Sequence, residues 1–89
     1  MTLNRKATIR AIGRRTGLKQ RDVQLMLETL IEVWTEELVS GGRVELEHFL
    51  VMEVQAVERP ANRLLPKQRF RKITIRAGKA LRRRFNDTT

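Results

Sequence analysis

The chain has 89 residues, with 19 lysines and arginines against 10 aspartates and glutamates, for a net charge of +9. That length holds one domain at most, and the charge points to a polyanion, either nucleic acid or an anionic membrane. The absence of cysteine excludes disulfides, thiolate nucleophiles and Cys-based zinc sites and fits a reducing compartment. The pattern also predicts no signal peptide and no membrane span, because no apolar run approaches the ~20 residues a spanning helix needs.

Residues 2–15 predict a first helix. Leu3, Ala7, Ile9, Ala11 and Ile12 gather on one apolar face, and Thr2 can cap the start. Thr16-Gly17 stops it, with Gly17 suited to a left-handed C-terminal residue. Residues 20–40 are the clearest element. Val23, Leu27, Leu30, Ile31, Trp34 and Leu38 repeat at three and four residues, and Met26, Val33 and Val39 widen the stripe. This helix is expected to be buried against more than one neighbour. Gln24, Glu28, Glu32 and Glu36 form a row on the opposite face. Like charges at that spacing repel slightly, which predicts a solvent-facing row. Gly41-Gly42 ends the helix.

From Arg43 the period changes to two. Residues 43–47 alternate as a half-buried strand does, residues 48–57 read as a second and more buried strand, and Glu47-His48 predicts the turn between them. Residues 58–68 hold both prolines without a clear period and predict a loop or hairpin tip. Residues 69–76 predict a third strand. Ile73 and Ile75 share a side with Arg69 and Arg71, so the inner half is expected to be buried and the outer half solvated. Residues 78–85 predict a short basic helix, and residues 86–89 a fraying tail.

The charges fall into three blocks. Residues 1–22 carry seven cations against Asp22, residues 23–58 carry eight anions against Arg43, and residues 59–89 carry eleven cations against Asp87. Mixed signs would serve solubility, whereas segregated signs define a basic surface. Only four aromatics are present, Trp34, Phe49, Phe70 and Phe85. A monomer with so little bulk would be marginal, which predicts a homodimer sharing its core.

Catalysis finds no support. His48 is the only histidine and has no Cys or Asp beside it in sequence, whereas a general base needs a positioned partner. The glutamates of the long helix read as one solvated face. No three metal ligands converge, and Gly41-Gly42 has neither the spacing nor the strand-to-helix context of a nucleotide loop. The expectation is no enzyme, no metal, no cofactor and no small-molecule substrate.

The basic blocks carry the functional signal. Arg59, Arg63, Lys67, Arg69, Arg71, Lys72, Arg76, Lys79, Arg82, Arg83 and Arg84 recur every few residues through a predicted hairpin and helix. Guanidinium groups suit phosphate because they offer a planar fork of donors. Gly78-Lys79 would add free helix N–H groups and a cation. Pro60, Leu64, Leu65 and Pro66 sit among these charges. They read either as a wedge for the minor groove or as a small cluster that holds the loop together, and the sequence leaves both open.

The order of elements and the local motifs resemble the bacterial histone-like HU and integration host factor family. Thr16-Gly17-Leu18 resembles its turn between helices one and two, and residues 27–38 match its long second helix. Gly42-Arg43-Val44-Glu45-Leu46 resembles its signature first strand, and Phe49 falls on its phenylalanine between two glycines. Gly78-Lys79-Ala80-Leu81 resembles the start of its third helix. The chain departs from the family in five places, one of them the stretch before the third helix, where Ile73, Thr74, Ile75 and Ala77 replace its prolines. His48 and Leu50 replace the two glycines, the arm tip lacks the Arg-Asn-Pro motif, and the span from Val54 to Gly78 is shorter by about half a dozen residues. Lys19 stands where a serine would cap the second helix, which loses about 1 kcal/mol of capping.

The resemblance implies an α+β fold in an intertwined homodimer. It has two N-terminal helices, a three-stranded antiparallel sheet with a short β-ribbon arm, and a short C-terminal helix. Residues 1–89 would form one domain, with a helical dimerisation part (1–42), sheet and arm (43–77) and C-terminal helix and tail (78–89). Leu27, Leu30, Ile31, Trp34, Leu38 and Phe49 would form the dimer core.

Duplex DNA would be the partner, bound with little sequence specificity and bent or compacted in the bacterial or phage nucleoid of the cytoplasm. Arg71, Arg76, Lys79 and Arg82 would hold phosphates at the saddle, Arg59, Arg63, Lys67 and Arg69 along the arms, and Lys19 and Arg21 on the flanks, with Lys72 and Arg83 as further DNA-binding residues. RNA is left open as a partner. No membrane partner is expected, since no basic helix has a broad apolar face. One rival is a helix-turn-helix regulator over residues 9–30, weakened by an acidic row where its second helix should face phosphate. The other is a protein-binding scaffold with the HU fold and weak DNA binding.

Overall fold

The protein is described from a computed structural model, of which residues 1–87 are described. It divides into two compact units, residues 1–35 and those from residue 36 onward, with the division inside the second helix.

The first unit is a pair of helices. Helix α1 spans Arg5–Thr16. Its cap is Asn4 rather than Thr2, because the Asn4 Oδ1 accepts from the Ala7 N–H at 2.9 Å, which places Leu3 outside the helix. Gly17 closes the helix in the left-handed region (φ 76), and its N–H donates to the Gly13 carbonyl at 2.9 Å. Helix α2 spans Gln20–Val39. Its first turn is closed by backbone alone, since the Lys19 carbonyl accepts from the N–H groups of Asp22 and Val23 at 3.0 and 3.1 Å. The acidic row Glu28, Glu32 and Glu36 is exposed, as its spacing predicts. Glu28 also accepts from Gln24 at 3.1 Å and pairs with Arg5 of α1.

The second unit begins in the last turn of α2. Gly41 adopts φ 89, and the N–H groups of Gly41 and Gly42 return to the carbonyls of Leu38 and Glu37. Strands β1 (Val44–Leu46), β2 (Leu50–Arg59) and β3 (Gln68–Ala77) follow in an antiparallel sheet of order β1-β2-β3. The β1–β2 turn carries His48 at φ 68, a left-handed conformation that favours glycine and that other residues adopt at a cost. Both β2 and β3 run further out than their sequence pattern predicts, so the loop shrinks to residues 60–67. Helix α3 spans Lys79–Asp87. It therefore includes Asn86 and Asp87, which the sequence assigned to a fraying tail, while Thr88 and Thr89 lie outside the described residues. Its start is pinned to the β1–β2 turn by the Gly78 N–H, which donates to the Phe49 carbonyl at 2.6 Å. A Cβ on Gly78 would sit 3.1 Å from that carbonyl oxygen, so any larger residue would force the Phe49 backbone to give by a few tenths of an ångström.

Among the described residues only Ile9, Val23 and Val44 are buried hydrophobics. Leu30, Ile31 and Phe49 are 41%, 51% and 48% exposed, whereas Leu27, Trp34 and Leu38 are half-buried. The inner half of β3 is not covered as expected, with Ile73 and Ile75 both mostly exposed. The physical reason is size, because one chain of this length lacks the apolar bulk to cover both its long helix and its sheet face.

Candidate nucleic-acid interface

The β2–β3 register sorts every ribbon side chain onto one of two faces, because side chains alternate along a strand. One face carries Leu50, Met52, Val54 and Ala56 of β2 with Ala77, Ile75, Ile73 and Arg71 of β3, and ends outward in Glu58 and Arg69. The other carries Val51, Glu53, Gln55, Val57 and Arg59 with Arg76, Thr74, Lys72, Phe70 and Gln68. The first face is apolar at its base, and the second is mainly polar, interrupted by Val51 and by the Val57–Phe70 pair.

The cations expected to bind phosphate separate into two groups. Four are engaged within the protein. Arg76 pairs with Glu53 at 2.7 Å, and Arg43 reaches the same carboxylate at 3.5 Å. Arg69 pairs with Glu58 across the strands at 2.8 Å. Arg71 donates to the carbonyls of Leu38 and Val39 at the end of α2, at 3.0 and 3.1 Å. Arg59 stacks over the Phe70 ring, 5.5 Å from its centroid. By contrast, Lys19, Arg21, Arg63, Lys67, Lys72, Lys79, Arg82 and Arg83 are exposed and make no ion pair among the described residues. These are the cations available to an external phosphate.

The tip between the strands is organised by one side chain. Asn62 Oδ1 accepts from the N–H groups of Leu64 and Leu65 at 2.9 and 2.8 Å, and its own N–H donates to the Leu65 carbonyl at 2.9 Å. The turn is thus held by hydrogen bonds and not by apolar packing. Leu64 is 91% exposed and Leu65 53%. Pro60 and Pro66 flank the turn and are exposed, with Arg63 and Lys67 beside them.

At α3, Lys79 is the first helical residue, next to the pinned turn, where helix N–H groups lack intrahelical partners. In the first unit, Arg21 lines a groove of about 410 Å³ with Lys6, Ile9, Arg10, Gln20 and Gln24. Lys6 and Arg10 were not singled out from the sequence, although their four-residue spacing on α1 places them on one face. Arg59–Phe70 and the Asn62 turn were also missed. The Asn62 side chain two residues before Leu64 was the available signal, since Asx turns use that spacing. No group of three His, Cys, Asp or Glu that could hold a metal occurs among the described residues, and no described helix is long and apolar enough to cross a membrane.

A helix pair, a short sheet drawn out into a two-stranded ribbon, and unpaired cations at the ribbon, its tip and the last helix define a class of small basic proteins built to lie along a nucleic-acid backbone. The chain belongs to the bacterial DNA-binding protein family, whose profile matches residues 3–86. It is 34% identical over 53 residues to the DNA-binding protein HU of Thermotoga maritima, a stretch that spans 60% of this chain and 59% of that relative. In structure it resembles an HU variant from Thermotoga maritima, with a TM-score of 0.73 and 27% identity over 92% of this chain and 97% of the other. It also shares the fold of Anabaena HU in a cocrystal with DNA, with a TM-score of 0.70 and 22% identity over 92% of this chain and 96% of that one.

Proposed function

We propose that the protein acts as a homodimer that binds duplex DNA through its phosphates with little sequence preference, and bends or compacts the duplex as an architectural protein of the nucleoid. The observation that carries this reading is the set of exposed cations along the ribbon, tip and α3 that make no ion pair among the described residues: Lys72, Lys67, Arg63, Lys79, Arg82 and Arg83. Phosphate contacts position a protein on DNA without reading its sequence. A ribbon lying along the minor groove, whose donor and acceptor pattern is largely degenerate, would read little sequence. Arg21, with Lys6 and Arg10 lining the same groove, and Lys19 just before α2 extend this role to flanking phosphates.

The dimer follows from what one chain leaves uncovered. Leu30, Ile31, Phe49, Ile73 and Ile75 expose apolar surface that a second copy would bury, each fully buried side chain contributing roughly 1.5–3 kcal/mol. At the tip, Leu64 takes the place of a wedge. It is apolar, protrudes from a turn fixed by Asn62, and stands between two cations, the arrangement that opens a base step.

The test is a fluorescence anisotropy titration of two unrelated duplexes across a range of salt. Equal affinities that fall steeply with salt are expected, because each phosphate contact releases counterions. A flat salt response, or one duplex strongly preferred, contradicts the proposal. Single-stranded DNA and RNA probes in the same series establish whether a duplex is required.

A further inference from the structure

Arg71 was expected to grip phosphate, yet its guanidinium faces the protein. It lies on β3 opposite Ala56, on the face that is apolar at its base. Its Nη2 donates to the Leu38 carbonyl at 3.0 Å and to the Val39 carbonyl at 3.1 Å. These are among the last carbonyls of α2, at the negative end of its dipole, and Leu38 already accepts from the Gly41 N–H at 3.1 Å. Helix α2 has no basic residue in its own last turn. Arg71 supplies that charge from a strand more than thirty residues away in sequence. The Gly41 backbone runs alongside, and a Cβ built there would lie 4.0 Å from the Arg71 nitrogen.

The position of this contact along the ribbon matters. Inward of Arg71 the same face carries Ile73 and Ile75. Outward of it the side-chain pairs are internal to the ribbon: Arg69 with Glu58, Arg59 with Phe70, and Asn62 with the backbone of Leu64 and Leu65. An isolated two-stranded ribbon is only marginally stable in water and bends and twists easily. The three-stranded part of the sheet ends at Met52 and Ile75, and Arg71 lies four residue pairs further out, so its contact with α2 holds the ribbon beyond the point where β1 stops supporting it.

We infer that Arg71 is a positioning residue. It clamps the ribbon, midway along its two-stranded length, to the C-terminal turn of α2, and so sets the angle at which the arm meets DNA and the bend it imposes, without itself contacting phosphate. This deepens the proposed DNA-bending function and rests on it. Lysine is a poor substitute, because one ammonium on a flexible stem holds two carbonyls less rigidly than a guanidinium.

The experiment compares wild type, Arg71→Gln and Arg71→Lys on one duplex labelled at both ends. Energy transfer in the saturated complex reports the bend, and anisotropy at several salt concentrations reports the number of phosphates contacted. Hydrogen exchange of the free proteins reports the ribbon. Wild type is expected to bring the duplex ends together. Arg71→Gln should lose much of that change and exchange faster at the outer ribbon, with the salt slope unaltered. Arg71→Lys should recover part of the bend.

A phosphate-binding Arg71 gives a different pattern. The slope magnitude falls by about 1.8 for the two arms of a dimer, at roughly 0.9 per phosphate, and the bend at saturation is retained. That result, or an unchanged bend in Arg71→Gln, overturns the clamp. If wild type itself fails to bend DNA, the proposed function fails first, and exchange in the free proteins still decides whether Arg71 holds the ribbon.

Discussion

Replacing Lys72 by glutamine should flatten the salt dependence of DNA binding, whereas removing the neighbouring pair Glu58 and Arg69 should not. Lys72 is exposed on the polar face of β3, opposite Gln55, and makes no ion pair among the described residues. Arg69 is held by Glu58 at 2.8 Å, so the double variant Glu58→Gln, Arg69→Gln leaves the local net charge unchanged. A dimer contacts two phosphates through its two copies of Lys72. At about 0.9 per phosphate, Lys72→Gln lowers the slope magnitude by about 1.8. Between 50 and 200 mM salt, a fourfold change, wild type should then lose about twelvefold more affinity than the variant. The double variant should keep the wild-type slope and lose at most about 1 kcal/mol of stability, as exposed pairs contribute little. Anisotropy titration of a single duplex at four or five salt concentrations measures both. Equal slopes for wild type and Lys72→Gln, or a large slope change in the double variant, refute the division into engaged and available cations.

Other outcomes follow from the same geometry. Ile31→Asp would place a charge in the proposed dimer core at a cost of several kcal/mol, and light scattering should show the mass halved; an intact dimer would contradict the interface. Leu64→Ala should leave affinity for a linear duplex nearly unchanged but reduce ring closure of short DNA fragments, and full ring closure would remove the wedge. His48→Gly relieves a left-handed conformation that costs a non-glycine residue about 1 kcal/mol or more. After the extra entropy of glycine, a gain of roughly 0.5 kcal/mol and 2–4 °C in Tm is expected. Gly78→Ala should lower Tm, since its Cβ would meet the Phe49 backbone at 3.1–3.2 Å; an unchanged melting curve would show that the turn and α3 are not packed as described.

The elements that the sequence made legible are those with a strong period and one buried face. Helix α2 shows its stripe and its acidic row in the residue spacing, and β1 its alternation. The start of α1 was ambiguous because Thr2 and Asn4 are both good caps. Only the hydrogen bond to Ala7 separates them. The outer ribbon was read as loop because Glu58, Arg59 and Gln68 stand on a two-stranded ribbon with solvent on both sides, where no alternation is imposed. The site was legible as a charge and not as a geometry. Eleven cations in the last block identify the ligand class. Their spacing does not say that Arg71 faces a helix end or that Arg76 shares Glu53 with Arg43, because both contacts join residues far apart in sequence.

The most direct measurement is the mass, by analytical ultracentrifugation, of the complex formed at low salt with a short duplex of arbitrary sequence and again with a second, unrelated duplex. Homodimeric, sequence-tolerant DNA binding predicts two chains, or a multiple of two, on both duplexes. A single bound chain, a complex with only one of the two sequences, or no complex at all would contradict it.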